Sequence, residues 1–207
     1  MGLYKNCILP RGMDKAMSTP EHQGLRAQTT TGLRGEVLEL GFGSGLNVEF
    51  YPDAVRRVWV AEPSKVGISL AAERIEARQI PIEFVSLDGA TLPLADNSID
   101  SALSSWTLCT IPNLGQALAE LRRVLKPGAP FHFVEHGLSP DIKVARWQRR
   151  MNWAQRIYAG GCNLNRKICE ELVVAGFRIE SLENFYMESG FKSQSYTYQG
   201  VAINGGV

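Results

Sequence analysis

Residues Val37-Leu38-Glu39-Leu40-Gly41-Phe42-Gly43-Ser44-Gly45 constrain this chain more than any other stretch, because an apolar run passes directly into three alternating glycines. Glycine admits positive φ and carries no Cβ, so three at this spacing describe a loop that lets another molecule approach the main chain. Each costs about 0.5 to 1 kcal/mol relative to alanine in regular structure, a cost that a ligand-binding loop explains. The spacing also argues against one common use. A dinucleotide fingerprint, G-x-G-x-x-G, needs its third glycine at position 46, where Leu46 stands, so a nicotinamide oxidoreductase is disfavoured.

Beyond the loop, short apolar runs alternate with helical patterns. Strands are predicted over 36–40, 57–61, 82–86, 99–105 and 130–135, and helices over 65–79 and 114–125, the second stopped by Lys126-Pro127-Gly128. Such alternation implies a parallel sheet covered by helices on both faces. Two further strands, 177–186 and 195–203, follow a helix over 166–175. Their short connection requires an antiparallel pair. The expected fold is therefore α/β and doubly wound, a mostly parallel seven-stranded sheet with an antiparallel last strand.

A chain of 207 residues with 44% hydrophobic content suits one domain, placed here over 34–207. Residues 1–33 are polar and broken by Pro10, Gly12, Pro20 and Gly24, and read as an irregular N-terminal arm or lid. Between the fifth and sixth strands lies an insertion over 139–165. Val144, Trp147, Met151, Ala154 and Tyr158 recur there at helical spacing and are expected to pack on the domain, with Arg146, Arg149, Arg150 and Trp153 on another face.

Charge and cysteines narrow the function. A formal charge of +1 argues against a nucleic-acid partner that would be held by its phosphates. Residues 1–20 lack a signal-peptide core, and no run approaches the roughly 18 apolar residues of a membrane span. Cys7, Cys109, Cys162 and Cys169 show no CxxC spacing and no neighbouring histidine pattern, so no metal site or disulfide framework is expected, and a reducing cytoplasm suits them.

Two acidic positions complete a ligand-binding set. Glu62 closes the run Val58-Trp59-Val60-Ala61, which puts its carboxylate at the carboxyl end of a strand beside the glycine loop. From there it can accept hydrogen bonds from both hydroxyls of a ribose. Asp88, in Leu87-Asp88-Gly89-Ala90, follows the third strand in the same way.

The pattern Glu39-x-Gly41-x-Gly43-x-Gly45 resembles the first motif of the class I S-adenosylmethionine-dependent methyltransferases, and the final antiparallel pair is similar to the end of their seven-stranded sheet. Within that superfamily, Trp106-Thr107-Leu108-Cys109, Phe131-His132-Phe133-Val134-Glu135-His136 and Gly161-Cys162-Asn163-Leu164-Asn165-Arg166 resemble segments of the methyltransferase-like thiol methyltransferases and their bacterial relatives. The resemblance implies a Rossmann-like methyltransferase fold. It implies S-adenosylmethionine as cofactor, S-adenosylhomocysteine as product and a small-molecule acceptor, such as a lipophilic thiol or another heteroatom nucleophile. By the same resemblance, cofactor positions fall on Glu39, Gly41, Gly43, Ser44, Gly45, Asn47, Glu62, Pro63, Asp88, Gly89, Ala90, Ser104, Ser105 and Trp106. Eukaryotic members of that group carry an N-terminal membrane segment, and no such segment is read in residues 1–33.

A sulfonium is already an activated methyl donor, so the protein's remaining task is to align the acceptor and assist its ionisation. His136, at the end of the fifth strand, is the expected catalytic base or acceptor contact, while His132 reads as core. Cys162 and Asn163 fit either the acceptor pocket or, for Asn163, the N-cap of the helix over 166–175. The basic face with Trp153 suits anionic lipid, which makes phospholipid headgroup N-methylation an alternative function. A non-catalytic S-adenosylmethionine-binding protein is the other.

Overall fold

The glycines of the opening motif terminate the central strand of the sheet. In the computed structural model, which describes residue 4 and residues 8–85 and 91–205, that strand is β1 (Gly35–Leu40). It is joined by β2 (Val55–Ala61), β3 (Ile82–Val85), β4 (Ser101–Ser105), β5 (Pro130–His136), β6 (Phe177–Tyr186) and β7 (Tyr196–Asn204). The seven strands lie in the order β3-β2-β1-β4-β5-β7-β6. All pairings among the first five strands are parallel, and β7 runs antiparallel to both β5 and β6.

Burial on both faces explains why the middle strands read as unbroken apolar runs. Successive side chains point to opposite faces, so Leu38 and Leu40 join one core with Phe131 and Phe133, while Val37 joins another with Val58, Val60 and Leu103. On the first face, α4 (Leu114–Val124) buries Leu114, Leu118, Leu121 and Val124, one stripe at helical spacing. Its last turn is closed by the final strand: Asn204 donates its side-chain amide to the carbonyls of Arg122 and Leu125 at 3.1 and 2.9 Å. α6 (Ile168–Val174) adds Ile168 and Leu172 to that face. On the second face, α3 (Lys65–Glu76) begins at Ser64, whose hydroxyl accepts from the Gly67 amide at 3.1 Å.

Three expectations need correction. The N-terminal region is not irregular, for it forms α1 (Leu9–Ala16) and α2 (Pro20–Thr30). Pro10 and Pro20 sit in the first turns, where a missing N–H costs nothing, and Gly12 and Gly24 face open space. Asn163 does not cap α6, which begins at Ile168; its amide reaches back to the carbonyl of Cys109 at 3.0 Å.

The third correction concerns α5 (Ile142–Tyr158). Its buried residues are Val144, Ala145, Gln148 and Gln155, whereas Trp147 is 59% exposed and Met151 and Tyr158 are also exposed. Hydrogen bonds fix its rotation. Gln148 accepts from the Ser139 amide at 2.9 Å and donates to the carbonyls of Gly137 and Ser193 at 2.8 and 3.2 Å. Turning the helix to bury Trp147 would leave those groups unpaired, a loss of about 1 to 3 kcal/mol each.

Among the described residues, no helix is long and apolar enough to cross a membrane.

Candidate active site

The chain leaves β1 toward β2 on one side and returns to β4 on the other, so the carboxyl ends of β1 and β4 part and open a crevice. A cleft of about 600 Å³ lies there, lined by Gly41, Gly43, Ser44, Glu62, Pro63, Ser105 and Trp106 from the sequence-predicted set. Gly41, Gly43 and Gly45 all have positive φ, at 74°, 56° and 75°. Their neighbours differ. A Cβ on Gly41 would collide with the Thr107 side chain, and one on Gly45 would lie 2.9 Å from the Ala71 methyl. A Cβ on Gly43 would meet nothing within 4 Å, so the main chain at this glycine lies open to the cleft. Gly67 lets α3 approach the loop, since its Cβ would sit 2.7 Å from the Gly43 carbonyl oxygen.

Glu62 holds the loop from the β2 side. One carboxylate oxygen accepts from the Gly43 amide at 2.7 Å and the other from the Ser64 amide at 2.6 Å. Glu39 and Asn47 lie behind the loop instead of on the cleft wall. Glu39 is fully buried, and it accepts from the Asn47 amide at 2.8 Å and from the Tyr51 hydroxyl. Burial pushes its carboxyl up to about 7, against the opposing pull of Tyr51, Asn47 and Arg26. Asn47 also donates to Ser105 at 3.2 Å and accepts from Arg26 at 2.7 Å. Arg26, on α2, is 5% exposed, and burial lowers it to about 10.

Trp106 marks strain beside the cleft, because a bulky side chain at φ 51° is sterically disfavoured. Its surroundings hold it there. Its amide donates to the Val134 carbonyl at 2.7 Å, and its ring lies 4.9 Å from the Arg26 guanidinium and 5.0 Å from the His22 ring. The following turn is anchored by Glu135, whose carboxylate accepts from Ser104 and from the amides of Thr107 and Leu108 at 2.8 to 2.9 Å. Ser104 thus serves this anchor and does not line the cleft.

Sequence reasoning missed Arg26, Tyr51 and Glu135 as site residues. Tyr51 and Arg26 carry no local pattern, since each meets Glu39 only through the fold. Glu135 had a signal: an acid in a strand buried on both faces needs partners to stay there. The N-terminal segment, expected as an arm or lid, does line the cleft, though through residues that no motif marked. Pro10 and Met13 of α1, Met17 at its C-cap, and Ile111 and Pro112 line the cleft, and Arg74 ties α1 to the loop by pairing with Asp14 at 2.9 Å and donating to the Ser44 carbonyl at 2.7 Å.

His136 is not part of the cleft wall. Its Nε2 lies 2.9 Å from the Cys162 Sγ, and Cys109 completes a cluster whose candidate ligand atoms all lie within 4.8 Å of one another. The hydrogen bond with Cys109 and burial both raise the Cys162 thiol, which keeps it protonated at neutral pH. His132 is buried against Gly32, as its place in the strand implied. Asp88, Gly89 and Ala90 lie outside the described residues.

A methyltransferase-domain family model matches residues 38–133. The chain is 31% identical to the human (Homo sapiens) thiol S-methyltransferase TMT1B over 175 residues, covering 82% of this chain and 72% of that protein. It is 32% identical to the Rattus norvegicus thiol S-methyltransferase TMT1B over 150 residues, covering 71% of this chain and 62% of that one. Across the thiol S-methyltransferases it matches, the aligned part spans 59% to 72% of their length. A crystal structure of an S-adenosylmethionine-dependent methyltransferase from Methanosarcina mazei aligns with a TM-score of 0.64 at 20% identity, covering 85% of this chain and 95% of that one.

The cleft fits S-adenosylmethionine. The open side of Gly43, the Glu62 carboxylate at the β2 end and the strained Trp106 turn provide backbone approach, hydroxyl acceptors and a rigid rim in one crevice. With S-adenosylmethionine as its cofactor, the chain belongs to the class I S-adenosylmethionine-dependent methyltransferases, as a relative of the thiol S-methyltransferases.

Proposed function

We propose that this chain transfers the methyl group of S-adenosylmethionine to a small lipophilic thiol. The division of the cleft carries the proposal: glycine backbone and Glu62 form one wall, and Met13, Met17, Trp106, Ile111 and Pro112 supply apolar surface. A polar wall suits the ribose and amino-acid ends of the donor, and an apolar wall suits a lipophilic acceptor. About 600 Å³ lies within the range of pockets that hold ligands of this size. The relatives' names supply the acceptor atom, sulfur.

When bound, the cofactor supplies an activated methyl group. The protein's work is then positioning and exclusion of water, which can contribute effective molarities of about 10⁵ to 10⁸ M. Gly43 leaves room at the loop, and Glu62 offers a carboxylate already oriented by two amides. The Arg26-Asn47-Ser105 chain holds the β4 rim against the loop, and α1 covers the far side. A free thiol is about 3% ionised at pH 7, so its proton can pass to solvent without a dedicated base. The proposed chemistry does not require His136, which lies off the cleft wall.

A panel of lipophilic thiols, phenols and amines, followed by S-adenosylhomocysteine formation, tests the proposal. Turnover is expected with the thiols. Turnover confined to amines would sink it, and binding of S-adenosylhomocysteine without turnover on any acceptor would favour a non-catalytic binding protein. Phospholipid headgroup N-methylation has one observation in its favour, the exposed basic and aromatic surface of α5. Phosphatidylethanolamine and its monomethyl and dimethyl forms, whose nitrogens can still accept a methyl group, therefore belong in the same panel.

A further inference from the structure

We propose that Cys109, His136 and Cys162 form a binding site for a thiophilic d¹⁰ cation, with Zn²⁺ the divalent occupant. The three residues come from separate parts of the chain: the turn after β4, the end of β5 and the loop after α5. The fold brings them together at residues that are buried or nearly so, with Cys109 1% and Cys162 4% exposed. Among the described residues, this is the one cluster of three such side chains with metal-ligand separations.

The donor set selects the class of ion. Two thiolates and an imidazole bind zinc-like and cuprous ions in preference to magnesium or calcium, which take oxygen ligands. Tetrahedral zinc with Zn–S near 2.3 Å and Zn–N near 2.0 Å places its ligand atoms roughly 3.3 to 3.8 Å apart. The cluster's atoms lie within 4.8 Å, with Cys162 Sγ and His136 Nε2 at 2.9 Å, so side-chain adjustments of about 1 Å or less admit the ion. Three protein ligands leave the fourth position to water or an added thiol.

The backbone around the cluster is already fixed. Asn163 donates its main-chain and side-chain N–H groups to the Cys109 carbonyl at 2.9 and 3.0 Å, joining the two cysteine-bearing segments. Asn152 of α5 accepts from the Leu164 amide at 2.8 Å. Gln155 directs its amide at the Cys162 sulfur at 3.6 Å, a contact that suits a thiolate better than a thiol.

Zinc uptake by the full chain, kept reduced and followed by competition with a chromophoric chelator, tests the site. The wild-type chain is expected to bind one Zn²⁺, at least about 100-fold more tightly than Cys162→Ser or Cys109→Ser, since metal sites lose most of their affinity with a ligand. Cys169→Ser should bind like wild type. Co²⁺ in place of Zn²⁺ should give thiolate-to-metal charge-transfer absorption that Cys162→Ser reduces and the Cys109→Ser, Cys162→Ser double variant removes. A rise in thermal midpoint of the wild-type chain with Zn²⁺ checks the site without any variant. Reduced wild-type protein that takes up Zn²⁺ no more tightly than the Cys109→Ser, Cys162→Ser double variant would overturn the proposal. So would a Cys109–Cys162 disulfide as the sole reactive product of the cluster, with no uptake after reduction.

Discussion

Glu62 and Glu39 are both acids at strand ends, yet burial gives them different tasks. Glu62 reaches the cleft with its oxygens held by the Gly43 and Ser64 amides, so Glu62→Gln keeps the side-chain size, removes the charge and leaves one of the two amides without an acceptor. A hydrogen bond to a charged group contributes about 1.5 to 3 kcal/mol. S-adenosylhomocysteine should therefore bind Glu62→Gln roughly 10- to 100-fold more weakly by calorimetry; wild-type affinity would exclude a ribose role. Glu39 instead titrates against stability. Its folded value near 7 lies above the ordinary 4.5, so the native state holds the proton more tightly than the unfolded chain. The group's contribution is fully present below about pH 4.5 and is lost as pH rises toward 7, a change of about 3 kcal/mol. In Glu39→Gln the fall in denaturation free energy between pH 5 and 7 should be shallower than in wild type. Parallel curves for the two proteins would show that Glu39 does not titrate there. At this scale the sequence was most legible where chemistry is local: three glycines share one loop, and Glu62 ends the next strand beside it. Arg26 and Tyr51 were silent because burial, which makes them matter, is set by distant segments, whereas Glu135 was marked by its place in an apolar strand.

Elements were legible where one physical force decides them. α4 follows its apolar stripe, and β7 turns antiparallel because its connection is too short for a crossover. Where two forces compete, pattern misleads: the hydrogen bonds of Gln148 set the rotation of α5 against its more apolar side, and prolines that seemed to break the N-terminal region begin its helices. α2 is the element whose loss the site should feel most. Through Arg26 it reaches Asn47 and the Trp106 ring, and it sits near the Glu39 carboxylate. Removing one member of a buried charged network costs about 3 to 5 kcal/mol. Arg26→Met should destabilise the chain on that order in urea, and should cost at least about 1 kcal/mol less in a Glu39→Gln background. Equal costs in both backgrounds would show that Arg26 and Glu39 act independently.

On the whole molecule, a formal charge of +1 conceals a concentrated basic surface. Along the outward side of α5, Arg146, Arg149, Arg150 and Arg156 alternate with Trp153 and Ile157, which are 68% and 63% exposed, and Trp147 stands at the flank. Large apolar side chains left in water beside arginines suit the boundary of an anionic bilayer, where the rings enter the interface and the guanidinium groups meet phosphates. Each basic residue near such a surface contributes about 1 kcal/mol. Gly160, just past the end of α5, lines the cleft, so a membrane under this helix would lie close to the cofactor crevice. Wild-type protein should therefore sediment with phosphatidylserine vesicles and much less with phosphatidylcholine vesicles. Arg149→Glu with Arg150→Glu should lower that retention at least about tenfold while leaving S-adenosylhomocysteine affinity unchanged. The same vesicles should lower the apparent KM for a membrane-partitioning thiol and leave that of a water-soluble thiol unaltered, because only the first is concentrated beside the cleft. Retention that is equal in wild type and the double variant would assign the exposed tryptophans another role; retention without the KM effect would separate membrane contact from acceptor delivery.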